Sequence, residues 1–299
     1  MSTVQANKLI SLKNILFLTD FSDASVSALP FATMIARSYG SKLTTLHVLL
    51  PSVSPYMAAD MSATLLDDQE DVAKAEMARV DAQLAGLERE TFIERGGGVW
   101  SVLSKTLKER EIDLIVLGTH GRTGFKKALL GSSAEEVFRQ TTVPVLTIGP
   151  AVRSGAHTGG RFRCVLFATD FNVVSSAAVP YAVSLAQENQ ARLVLLHVLP
   201  APKPGKQSRP GGLSVAEAMH GLEDLVPQDA ELWCRPEPKV EHGEPAAKIL
   251  ETAEWCGADL IVLGVRGMDT LTGLATRVER AIAYDVVAHA PCPVLTVRG

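Results

Sequence analysis

The chain repeats itself. Ile15-Leu16-Phe17-Leu18-Thr19-Asp20-Phe21 returns as Val165-Leu166-Phe167-Ala168-Thr169-Asp170-Phe171, and Leu46-His47-Val48-Leu49 returns as Leu196-His197-Val198-Leu199. Pro30 returns as Pro180, so these three blocks keep an offset of 150 residues. Asp113-Leu114-Ile115-Val116-Leu117-Gly118 returns as Asp259-Leu260-Ile261-Val262-Leu263-Gly264, and Pro144-Val145-Leu146-Thr147 as Pro293-Val294-Leu295-Thr296. Five matched blocks in one order do not arise by chance. They mark a tandem duplication of one domain, which suits the length of 299 residues. The join, Gly149 to Phe162, holds four glycines and no apolar periodicity. The predicted organisation is a domain over 1–149, a linker over 150–162 and a second domain over 163–299.

Each copy alternates strand and helix. In the first, the pattern predicts strands at 15–19, 43–49, 91–94, 112–117 and 143–148. Helices are expected at 22–39, with Ser22 or Asp23 as cap and Gly40 as stop, and at 60–88, 99–110 and 133–140. Residues 51–58 and 200–212 read as Pro-rich loops. Near-continuous apolar strands alternating with helices imply a parallel sheet covered on both faces, and right-handed crossovers make it doubly wound. The expected fold is therefore two tandem, five-stranded, doubly wound α/β domains of Rossmann-like type. Ligands of such sheets sit beyond the carboxyl ends of the strands, where strand order reverses. Thr19-Asp20, Val48 and the loop after Gly118 would meet on that rim.

The loop after the fourth strand carries Gly118, Gly121, Gly124 and Gly131, then Ser132-Ser133-Ala134-Glu135-Glu136, which reads as a helix start with hydroxyl caps. Strand, glycine loop and helix N-terminus together form a phosphate cradle, because glycine lets backbone approach a ligand and the first helical turn offers free N–H donors. Asp20 can accept hydrogen bonds from two ribose hydroxyls, the alternative being a turn aspartate that caps the next helix. Ser132 equally reads as a plain N-cap. Arg122, Lys126 and Lys127 could supply charge to a triphosphate or form a solvated basic face. His120 has no partner carboxylate in view and reads as an exposed loop histidine. His47 and His197, at matched strand positions, read as packed histidines with one hydrogen bond.

Net charge is −4, which argues against general nucleic-acid binding. No apolar run reaches the roughly 18 residues that span a bilayer, and no secretory pattern opens the chain. Four cysteines, Cys164, Cys234, Cys256 and Cys292, form no CxxC pair, which suits a reducing cytoplasm.

These blocks resemble the universal stress protein family over nearly the whole chain, twice. Gly118, two residues, Gly121, nine residues, Gly131, Ser132 looks like the G-2x-G-9x-G-[S/T] loop of its ATP-binding branch. The resemblance implies a fold like the adenine nucleotide alpha hydrolases and an ATP site. It implies Thr19 and Asp20 beside adenosine, and Val48 lining the adenine slot. It also implies Gly118, Gly121 and Arg122 around the phosphates, with Gly131, Ser132 and Ser133 binding them. Mg2+ or Mn2+ would arrive with the phosphates. Leu18 departs from the proline often found before Thr-Asp. The resemblance further implies that the last strands, 144–148 and 293–297, pair or face one another across a pseudo-two-fold axis, and two chains could associate as a homodimer.

The second copy keeps Thr169, Asp170, Val198, Gly264 and Gly267, but after nine intervening residues Gly267 is followed by Arg277 rather than glycine. Counting back from the shared proline, Arg280-Ala281 replace Gly131-Ser132. This copy is expected to bind triphosphate poorly or not at all. The functional expectation is a nucleotide-responsive stress-response module with one ATP in the first domain and a protein partner still to be identified. A slow ATPase or phosphotransferase, and a nucleotide-free scaffold, remain the alternatives; no GxxxxGK[ST] motif is present.

Overall fold

In a computed structural model, the chain divides into two compact units, one of Leu12–Ile148 and one built on Gly149–Gly299. Residues 10–50, 59–119, 131–152, 160–201, 213–227, 236–266 and 274–299 are described, with backbone alone for 59–65 and 274–280.

The N-terminal unit runs β1 (Asn14–Leu18), α1 (Asp23–Tyr39), β2 (Lys42–Leu49), α2 (Ala59–Gln83), β3 (Arg89–Arg95), α3 (Val99–Glu109), β4 (Leu114–Gly118), α4 (Ser132–Gln140) and β5 (Val145–Ile148). The strands lie in the order β3-β2-β1-β4-β5 and every pairing is parallel. The chain works outward from β1 to β3, then crosses back to lay β4 on the other side of β1. Strand order therefore reverses between β1 and β4. Ile15, Leu16 and Phe17 in β1 and Ile115 and Val116 in β4 are fully buried, as strands covered on both faces must be.

The C-terminal unit runs β6 (Cys164–Ala168), α5 (Val173–Ser176), α6 (Val179–Asn189), β7 (Arg192–Leu199), α7 (Val215–Asp224), β8 (Pro236–His242), α8 (Pro245–Cys256), β9 (Leu260–Val265), α9 (Leu274–His289) and β10 (Val294–Arg298). Its strands repeat the same parallel order, β8-β7-β6-β9-β10. The expected doubly wound α/β architecture is present in both copies.

The repeated aspartates pin the rim opposite the strand carboxyl ends. Asp113 Oδ2 accepts the N–H groups of Lys13 and Asn14 at 2.7 and 2.9 Å, and Asp259 Oδ2 accepts those of Arg163 and Cys164 at 2.8 and 3.2 Å. Outer strands β3 and β8 are half-exposed and bear ion pairs, Lys42–Glu90 at 2.6 Å and Arg192–Glu237 at 2.7 Å. Pro236 and Pro238 are tolerated in β8 because an outer strand need not donate on both sides.

Several boundaries differ from the sequence pattern. The long helix ends at Gln83 rather than 88, short of Gly86, whose φ of 86° is left-handed. Ser22 is the α1 cap and accepts the Ser25 N–H, while Gly40 stops the helix at φ 66°. The predicted loop at 51–58 and all but the first two residues of the predicted loop at 200–212 lie outside the described residues.

Candidate functional site

At the end of β1 the chain makes a tight turn through Thr19-Asp20-Phe21. Thr19 is buried; its N–H extends the ladder to Leu46 O at 3.0 Å. Its hydroxyl lies 2.9 Å from the Ser25 hydroxyl and accepts the Phe21 N–H at 3.0 Å. Phe21 takes φ 60°, a conformation uncommon for a bulky residue. Two contacts hold it there: the Thr19 hydroxyl on its N–H and the His47 ring, 4.4 Å away between centroids. His47 Nδ1 stands 2.8 Å from Thr19 O, and since a carbonyl only accepts, Nδ1 carries the proton. The reading of His47 as a packed strand histidine with a hydrogen bond matches this geometry.

The turn aims the Asp20 carboxylate over the strand ends. Burial works to raise its pKa, but hydrogen bonds from the Ser22 hydroxyl and N–H and from the Ser25 hydroxyl overcome it and hold Asp20 below the usual aspartate value. Asp20 is thus an ionised acceptor at neutral pH.

The facing wall comes from β4 and α4. Thr119 N–H bonds Ile148 O at 3.1 Å, and Gly131 N–H returns to Thr119 O at 2.6 Å, so the chain enters α4 directly beside the end of β4. The expected hydroxyl cap is corrected here. Gly131 is the N-cap, Ser132 and Ser133 lie inside the first turn, and no side chain caps the helix. The N–H groups of that turn, which a helix cannot satisfy itself, are left to the cleft. Gly131 has φ −58°, open to any residue, so its backbone conformation alone does not call for glycine.

Between these walls lies a cleft of about 840 Å3, open to solvent. Of the sequence-predicted residues, Thr19, Asp20, Val48, Gly118, Gly131, Ser132 and Ser133 all line it. Gly121 and Arg122 lie outside the described residues, as do His120, Gly124, Lys126 and Lys127. Ser25, Val99, Leu117 and Thr119 also line the cleft and were not singled out from sequence. Ser25 had a readable signal: Ser175 stands at the same 150-residue offset and makes the same contact, Thr169 Oγ1 to Ser175 Oγ at 2.8 Å. Val48, Val99, Leu117 and Ala134 belong to the buried core of this unit, so the cleft floor is continuous with the core.

Gly118 acquires a second meaning. A Cβ there would stand 2.3 Å from Ala24 O, and at Gly264 the same atom would meet Ser175 Cα at 2.4 Å. Both glycines are required by the helix that packs across the strand end, whether or not a ligand is present.

The C-terminal unit reproduces the turn. Phe171 has φ 62°, its N–H bonds Thr169 Oγ1 at 3.0 Å, and His197 Nδ1 lies 2.8 Å from Thr169 O. Cys164, Cys256 and Cys292 are buried and form no disulfide; Cys234 lies outside the described residues. Among the described residues no group of three or more His, Cys, Asp or Glu side chains could hold a metal ion, and no helix is long and apolar enough to cross a membrane.

Two doubly wound parallel α/β units in tandem, each with a Thr-Asp-Phe turn at its point of strand reversal, define the class of protein. The family model described as "Universal stress protein family" matches residues 11–149 and again 161–298, and the chain belongs to that family. It is 26% identical over 299 residues to a universal stress protein of Mycolicibacterium smegmatis, covering 95% of this chain and 96% of that one. One copy's length is 33% identical over 150 residues to the universal stress protein YxiE of Bacillus subtilis, covering 46% of this chain and 99% of that one. The fold matches the crystal structure of a universal stress protein from Archaeoglobus fulgidus at TM-score 0.71 and 21% identity, over 97% of this chain and 99% of that one.

Proposed function

We propose that the N-terminal unit binds ATP and that the protein acts as a nucleotide-responsive module in a stress response. One observation carries the reading: an ionised Asp20 and the uncapped N-terminus of α4 face the same cleft, with the apolar Val48, Val99 and Leu117 among its lining. The two polar ends suit the two polar ends of a nucleotide. Asp20 would accept ribose hydroxyls, the apolar lining would hold the base, and the Gly131–Ser133 turn would offer N–H groups and the Ser132 and Ser133 hydroxyls to phosphate. The residues present therefore fit the group. Mg2+ or Mn2+ would supply counter-charge to the phosphates. Gly121 and Arg122 remain part of the proposed phosphate end.

Binding to the folded state alone raises stability by about 2.7 kcal/mol at a hundred times Kd. ATP should therefore raise the melting temperature of the wild-type protein in a concentration-dependent way. Gly131→Arg, which sets a long side chain where phosphate must approach the first turn, should abolish that rise, while the loss of the glycine N-cap lowers ligand-free stability by about 1 kcal/mol. An unchanged ATP response in Gly131→Arg would sink the assignment of the phosphate end.

A further inference from the structure

The C-terminal unit has its own cleft at the matching place, about 630 Å3, with Thr169, Asp170, Val198 and Gly264 in its lining. Its two ends have diverged to different degrees. At the turn, the hydrogen bonds at Thr169 match those of the first copy. Asp170 is exposed, and its carboxylate is fixed by Asn172, whose N–H reaches Oδ1 at 3.1 Å and whose side-chain amide reaches Oδ2 at 2.7 Å. Each oxygen retains a second lone pair for a ligand.

At the other end the described residues form no such cradle. Alignment on Pro144 and Pro293 sets Ala281 and Ile282 opposite Ser132 and Ser133. α4 begins at Ser132, but α9 already begins at Leu274. Seven residues of helix precede Ala281, roughly 10 Å of rise, so the N–H groups there are turned into the helix's own bonds. In place of donors and hydroxyls the cleft meets Ile282 and Ala283, and Pro245 and Ile249 of α8 extend the apolar wall. A phosphate set against these side chains would lose its water with nothing in return. A flat ring would gain from the same burial.

We propose that this cleft is a second binding site, for a neutral nucleoside: a flat heteroaromatic base with free vicinal hydroxyls and no phosphate. The inference rests on reading Asp20 and Val48 as the nucleoside end of the first site, carried to Asp170 and Val198. One chain would then sense two forms of related ligands, a nucleotide in one unit and its dephosphorylated product class in the other.

Full-length protein labelled at Ile and Val methyls tests this by NMR titration with adenosine and with ATP. Ile249 and Ile282 line the C-terminal cleft, and among the described residues no isoleucine lines the N-terminal one, so their signals report on the new site by themselves. Their signals are expected to shift saturably with adenosine and at least tenfold more weakly with ATP. Asp170→Asn, at an exposed position, should weaken the adenosine response roughly tenfold. Stationary Ile249 and Ile282 signals with adenosine would overturn the proposal, as would an equal or stronger response to ATP. Val48 separates the two readings. If Val48 moves with ATP while Ile249 and Ile282 ignore adenosine, this inference alone fails. If Val48 ignores ATP while they respond to adenosine, the ATP reading alone fails.

Discussion

Asp20 and Gly118 do different work, although both line the cleft. For Asp20 the sign of the pH effect follows from its lowered pKa. A carboxyl depressed in the folded state adds stability that is present above its unfolded pKa and lost as pH falls through the folded one, here below about pH 4. Asp20→Asn should therefore narrow the gap between urea midpoints measured at pH 6 and pH 3, and should weaken nucleotide binding at pH 7 by about tenfold or more. An unaltered gap would mean that the Ser22 and Ser25 hydrogen bonds do not favour the ionised form. For Gly118 the constraint is steric. A methyl group there meets backbone, which cannot swing aside, so Gly118→Ala should cost about 1–3 kcal/mol or more. Gly264→Ala should cost a similar amount, although its unit lacks the phosphate cradle. Thermal melts check both; a harmless Gly264→Ala would restore a ligand-based reason for Gly118. Sequence spacing alone could not separate these roles. The glycines looked alike in the motif, and only the position of α1 across β4 shows which contact requires Gly118.

Among the elements, the two copies of one helix take different forms. α1 runs unbroken over 17 residues with Pro30 inside it, whereas the matching segment splits into α5 and α6 with Pro180 in the first turn of α6. Proline lacks the N–H that an interior position uses, and a first-turn position has no use for it. The offset of 150 residues made the prolines legible in sequence, but not which solution each copy takes. Ser22 caps α1 and also bonds Asp20, so Ser22→Ala should lower stability by about 1 kcal/mol and weaken nucleotide binding together. Chemical denaturation and a binding titration on one preparation would show both changes; loss of stability without loss of affinity would uncouple the cap from the site. The α4 start was misplaced from sequence because two adjacent serines before acidic residues look like caps. Gly131 instead takes the N-cap position, with its N–H tied back to Thr119 O. The α9 start was out of reach for a different reason. Loss of Gly-Ser at 280–281 was visible, but the helix running through those positions had no comparable marker.

For the whole molecule, duplication was the most legible fact, because each apolar strand repeats with its flanking turn and so carries topology with it. What sequence left open was how completely the second phosphate end had been lost. At the positions matching Gly131 and Ser132 the backbone is continuous helix, a larger change than the substitution of one glycine. The protein should therefore hold one nucleotide per chain, in the N-terminal unit. Isothermal titration of full-length protein with ATP, in wild type and in Gly131→Arg, tests it most directly. One ATP per chain is expected in the wild type and none in Gly131→Arg. Two ATP molecules per chain, or one that survives Gly131→Arg, would contradict it.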